Sequence, residues 1–138
     1  MSKTNEYIDY MAYIPYNEGV IMSEYTIFFY EKENGECPVK DFLLKLDNKT
    51  RAKVLMLLKI LQEKGNNLRE PYSKHLKDGI FEMRVISGNT LIRVLYFFLE
   101  GKRIFLTNGF VKKTSKTPER EIKLAMKYRE DYMGRMCK

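Results

Sequence analysis

Apolar positions along the chain fall into segments of different period. The run YTIFFYEK (25–32) is aromatic and β-branched and predicts a strand. Asn34-Gly35 then turns the chain, and Cys37-Pro38 opens a short helix, since proline is tolerated at a first helical position. Val39, Phe42, Leu43 and Leu46 share one face of it. Asp47 or Asn48 can cap a second helix through about Lys64, with Gly65 as its stop. Val54, Leu57, Leu58 and Leu61 recur at helical spacing and predict its buried stripe. Further on the period drops to that of strands. Ile80–Ile86 and Thr90–Leu99 flank Ser87-Gly88-Asn89, and Glu100-Gly101 joins the second of these to Arg103–Asn108. Connections this short predict an antiparallel meander. Pro118 starts a final helix, with Thr117 as its expected N-cap and Glu119 and Glu121 at its positive end. The order strand–helix–helix–strand–strand–strand–helix predicts an α+β fold, a sheet covered by helices.

The 138 residues, 44% hydrophobic and 31% charged, suit one soluble globular domain with a single core. That domain is expected at 25–138. Residues 1–24 read as an accessory leader or poorly ordered arm, with Tyr7, Tyr10, Tyr13 and Tyr16 spaced by three and Pro15 breaking any helix. No run approaches the roughly 20 apolar residues that cross a bilayer, and the N-terminus lacks the basic and apolar regions of a signal peptide. Cys37 and Cys137 form no disulfide framework, and with His75 as the one histidine there is no zinc motif. A cytoplasmic protein without metal or cofactor is the simplest reading.

Charge changes this picture. The net charge is +7, but residues 1–73 hold 10 basic and 11 acidic side chains, whereas 74–138 hold 15 and 7. So lopsided a field suits a polyanion such as nucleic acid; a solvated basic surface is the bland alternative.

Strand register concentrates the charge further. If Gly88-Asn89 is a two-residue loop, Ser87 faces Thr90 and Arg84 faces Arg93. Like charges directly opposite are unfavourable, so the pairing gains nothing for the fold unless an anion is present. One of the arginines could instead pair with Glu82 or Glu100 and be structural. Arg84 alternates with Met83 and Val85 and so lies on the opposite face from them. Counting on through a Glu100-Gly101 turn puts Asn108 beside Arg93, after which the chain runs into Lys112, Lys113 and Lys116. Lys74, His75 and Lys77 precede the Arg84 strand and could extend the patch.

The usual hydrolase motifs are missing: there is no H-E-x-x-H, no G-x-S-x-G and no P-loop. A carboxylate two-metal nuclease needs clustered acids, and residues 74–118 offer Asp78, Glu82 and Glu100 alone. One histidine excludes a two-histidine acid–base nuclease. Metal-free RNA cleavage remains, in which the RNA 2′-hydroxyl attacks the adjacent phosphorus and Arg and Lys stabilise the developing phosphate charge. A lysine base there would need its pKa lowered by like-charged neighbours.

The stretches KHLKDGIFEMRV (74–85), LIRVLYFF (91–98) and GFVKKTSKTPEREI (109–122) together resemble the RelE/ParE toxin superfamily, and within it the phage-derived HigB-like branch. The resemblance covers about residues 25–132, and K-K-T-x-K-T-P-x-x-E-I (112–122) is its most specific part. It implies a small twisted antiparallel sheet with an N-terminal helical pair and a C-terminal helix. It also implies an endonuclease that cuts mRNA on the ribosome and is neutralised by a helix-turn-helix antitoxin encoded beside it. Catalytic positions would fall on Arg84, Arg93, Lys112 and Lys113, with Lys116 in the same loop. RNA-binding positions would fall on Lys74 and Lys77, with His75 between them. Some relatives carry a tyrosine shortly after the loop; residues 112–121 have none, and Tyr128 and Tyr132 lie further on. The alternatives are a ParE-like toxin that inhibits gyrase by binding it, or a relative that binds RNA without cutting.

Overall fold

A computed structural model of the chain describes residues 25–137. The expected leader, with its four tyrosines, lies outside them. Strand β1 (Thr26–Phe29) is followed by helices α1 (Pro38–Leu44) and α2 (Asn48–Lys64). Four strands come next, β2 (Ser73–Lys77), β3 (Ile80–Ser87), β4 (Thr90–Leu99) and β5 (Arg103–Val111), before helix α3 (Glu119–Met136).

The helix boundaries follow from local chemistry. Asp47 is the cap of α2, accepting the Thr50 amide at 2.7 Å, and Gly65 ends the helix at φ +50°, a conformation open to glycine. The Arg51 guanidinium donates to the carbonyls of Leu43 and Leu46 and to the Asn48 side chain, tying the α1–α2 corner together. Pro118, not Thr117, is the N-cap of α3, and it makes no side-chain capping bond. Thr117 is spent elsewhere, as described below.

The five strands form one sheet in the order β1-β5-β4-β3-β2. Gly88, at φ +60°, begins a two-residue turn, and Ser87 pairs with Thr90 and Arg84 with Arg93 as the sequence predicts. Three features differ from expectation. Ser73–Lys77 is an additional edge strand, antiparallel to β3, in a segment too polar to reveal itself by alternation. The other edge, β1, runs parallel to β5, so the sheet is mixed. Asn108 pairs with Leu95, and Phe110 takes the place opposite Arg93. That shift has two sources. The β4–β5 connection uses three residues, with Lys102 at φ +56°, and a bulge interrupts β5 where Thr107 donates from its hydroxyl to the Leu95 carbonyl.

Apolar side chains cover both faces of the sheet. On one face Met83, Val85, Ile92, Val94, Tyr96, Ile104 and Leu106 pack against Val39 and Leu43 of α1 and the Val54, Leu57, Leu58, Leu61 stripe of α2. Gly109 lets α1 approach closely, since a Cβ there would lie 2.4 Å from Phe42. On the other face Ile80, Leu95, Phe97 and Phe105 meet Ala125 of α3. The far end of α3 docks on the chain after β1, where the Tyr30 hydroxyl donates to Asp131 at 2.6 Å and its ring stacks on Tyr128. Burial and the neighbouring carboxylate push the Tyr30 hydroxyl up to about 12, so it stays a donor.

Candidate nucleic-acid site

The α3-facing side of the sheet changes character along β3 and β4. Alternation puts Ile80, Glu82, Arg84 and Ile86 of β3 on this face, opposite Phe97, Leu95, Arg93 and Leu91 of β4. The helix covers the apolar end, and its first turn stops above Asn108, whose amide donates to both the backbone and side-chain oxygens of Glu121. Past that point the face opens into a cleft of about 330 Å³. Its walls come from β2, β3, the chain after β5 and the start of α3. Lys74, Arg84, Lys112 and Lys116 line it together with Glu82 and Thr117.

Glu82 is fully buried yet charged by type, and it is the anion that the opposed arginines require. Its Oε1 lies 3.0 Å from Arg84 Nε and 3.5 Å from Arg93 Nε. Its Oε2 accepts the Thr117 hydroxyl. The two arginines are therefore partly structural, and the pair alone does not demand an external anion. Arg93 lies beneath the surface, 7% exposed, and also donates to the Ile92 carbonyl. Burial disfavours its charge, and Glu82 restores part of the loss against the repulsion of Arg84. Arg84 is more open; it contacts Glu82 through Nε and lines the cleft.

The lysines separate into groups. Lys112 continues β5 past its end, its amide donating to the Leu91 carbonyl at 2.8 Å, which holds its side chain at the cleft. Partial burial and the repulsion of Arg93, Arg84 and Lys74 push the Lys112 ammonium below the ordinary lysine value, with Glu82 opposing. Lys116 lines the cleft from the loop, while Lys113 is exposed and outside its lining. Lys74 is on the cleft, opposite Glu82 in the ladder. Lys77 pairs with Glu119 at 3.6 Å on the exposed rim. His75 borders the cleft, but its Nε2 accepts the Gly79 amide and its ring meets the edge of Phe81. That ring holds the β2–β3 turn.

The structure thus gathers Lys74, His75, Arg84, Lys112 and Lys116 around one cleft, places Arg93 under its floor, and leaves Lys77 and Lys113 outside. Sequence reasoning passed over Glu82 and Thr117 as site residues, treating the first as an optional partner and the second as a helix cap. A signal was present: an acid two residues before Arg84 shares its face of the strand. Tyr128 and Tyr132 are occupied in packing, on Tyr30 and Phe105 respectively. Among the described residues no group of three or more His, Cys, Asp or Glu side chains could hold a metal ion, and no helix is long and apolar enough to cross a membrane.

No curated protein matches the chain. A family model, Phage derived protein Gp49-like (DUF891), matches residues 41–130, which run from α1 through most of α3 and include every residue of the cleft. That family is of the toxin–antitoxin type. With well over half of its length matched, the chain belongs to the phage-derived Gp49-like family.

Proposed function

We propose that this protein is the toxin of a toxin–antitoxin pair and cuts mRNA on the ribosome, held in check by a helix-turn-helix antitoxin encoded beside it. The observation that carries the reading is the cleft itself. Three lysines and an arginine converge on it, more positive charge than its two lining carboxylates, Glu82 and Glu119, can neutralise. A phosphodiester entering there meets Arg84, whose planar fork suits phosphate oxygens. The ribose 2′-oxygen attacks phosphorus and the bond from phosphorus to the 5′-oxygen breaks, giving a 2′,3′-cyclic phosphate and a 5′-hydroxyl. Lys112, whose charge is disfavoured by its surroundings, takes the 2′-hydroxyl proton. Lys116, on the same cleft, returns one to the leaving oxygen. Arg84 and the remaining positive charge stabilise the phosphorane-like transition state.

The test is to induce the protein in cells and map mRNA 5′ ends beside Arg84→Ala and Lys112→Ala. New codon-associated 5′ ends are expected for the parent, with cleavage down about 100-fold or more in each variant. Growth arrest without new ends would refute the nuclease reading, and DNA damage in its place would point to gyrase.

A further inference from the structure

We infer that Glu82 is a positioning residue: a buried carboxylate latch that fixes the Lys112–Thr117 loop against the arginine floor, so that lysine and arginine act on one phosphate. The inference rests on the ribonuclease reading for its catalytic consequence, though not for the latch itself.

Glu82 is an unexpected residue for this place. A carboxylate on a sheet that binds a polyanion weakens the field that attracts the ligand, and burying it carries a desolvation penalty. Charge balance for Arg84 and Arg93 accounts for one carboxylate oxygen and leaves the other to be explained. The contacts suggest what it supplies. One oxygen is shared by Arg84 of β3 and Arg93 of β4, and the other takes the Thr117 hydroxyl from the loop. A single side chain therefore joins two strands to the segment that carries the lysines. Between Lys112, tied to Leu91, and Pro118, where α3 begins, the loop is exposed. Thr114 bonds to the Lys116 carbonyl within the loop, a contact that does not reach the sheet. Thr117 is the loop side chain that does. Its hydroxyl is turned to Glu82 and not to the first turn of α3, whose N-cap is Pro118.

The latch has a signature that mere fold support lacks. Removing the Glu82 charge makes the cleft more positive, so RNA affinity should hold or rise while the cleavage step falls. Glu82→Gln and Thr117→Val are compared with the parent in two measurements. The first is binding of a short single-stranded RNA made uncleavable by 2′-deoxy substitution, set beside single-turnover cleavage on mRNA-programmed ribosomes. For Glu82→Gln the affinity is expected to be unchanged or tighter and the saturating cleavage rate to drop about 100-fold, the scale of a misplaced catalytic group. Thr117→Val, which leaves the buried charges alone and so guards against a folding defect, should lose about 10-fold in the same step with affinity unchanged. Parent-like cleavage in both variants, or a loss confined to affinity, would overturn the proposal. The second measurement is backbone order by NMR relaxation over residues 113–117, which should fall from about 0.85 toward 0.6 or below in both variants. Unchanged order there overturns the latch whether or not the parent cuts RNA. Lowered order in a parent that cuts nothing keeps the latch and refutes the nuclease.

Discussion

The two faces of the sheet are built from alternate residues of the same strands, yet they do different work. The face under α1 and α2 is mostly apolar, with Met83, Val94, Ile104 and Leu106 fully buried, and its buried polar groups are uncharged and paired, Ser87 with Thr50 and Ser73 with Tyr96. The face under α3 is apolar for half its length and charged for the rest, where Glu82, Arg84 and Arg93 replace the expected core. The difference lies in coverage. Two helices close one face; a single helix that begins late, after the Lys-rich loop, leaves the other open at the end where the charges are. The charged cluster occupies the part of the face that a helix does not reach.

Substitutions should separate the faces. The largest effect on stability is expected on the closed face: Leu58→Ala, fully buried in α2, should lose about 2–5 kcal/mol in a denaturant titration while any folded fraction retains its cleft chemistry. Arg93→Ala sits on the boundary between fold and site. It removes one partner of buried Glu82 and, with Arg84 still paired to it, should cost about 3 kcal/mol, the low end for a broken buried pair, as well as activity, so a stability loss near zero would place Arg93 wholly in the site. Lys112→Arg tests the open face through pH. Because the Lys112 pKa is depressed, cleavage by the parent should rise with pH through that lowered pKa and level off below the ordinary lysine range. The arginine variant keeps the positive charge but cannot act as base, and its rate should be low and flat with pH. A rising profile in that variant would assign the proton to another group. The smallest effect is expected on the rim, where Lys77→Ala breaks an exposed pair with Glu119 and should move stability by no more than about 0.5 kcal/mol.

Much of this division was legible in the sequence. The Arg84–Arg93 pairing could be counted because Gly88-Asn89 sets a tight turn and no bulge interrupts the β3–β4 ladder beside it. The α1 and α2 stripes were equally plain, since helical periodicity over many residues is hard to mistake. What was hidden depends on contacts between distant segments. Ser73–Lys77 becomes a strand through pairing with β3, not through its own polar sequence. The parallel pairing of β1 with β5 joins residues nearly eighty positions apart, and nothing local specifies it. Thr117 reads as a cap because threonine before proline and glutamates usually is one; its attachment to Glu82 is a tertiary choice that overrides the local preference. The charged cluster is visible in the sequence as a cluster, while the role of Glu82 at its centre depends on a ladder and a loop that meet only in the fold.

The bulge at Thr107 decides on which side of the sheet the lysine arrives. Along β5, Ile104 and Leu106 point to α1 and α2, and strict alternation would send Asn108, Phe110 and Lys112 after them. One supernumerary residue reverses the phase, so Asn108 reaches Glu121, Phe110 joins the α3 core and Lys112 enters the cleft. Drawing Thr107 into the ladder opposite Leu95 would invert the handout of side chains between interior and cleft, turning the Lys112 cation toward the α1–α2 side without changing any residue of the site. Deleting Thr107, by contrast, would straighten the strand and keep the phase, because Asn108 would still follow Leu106 onto the α3 side.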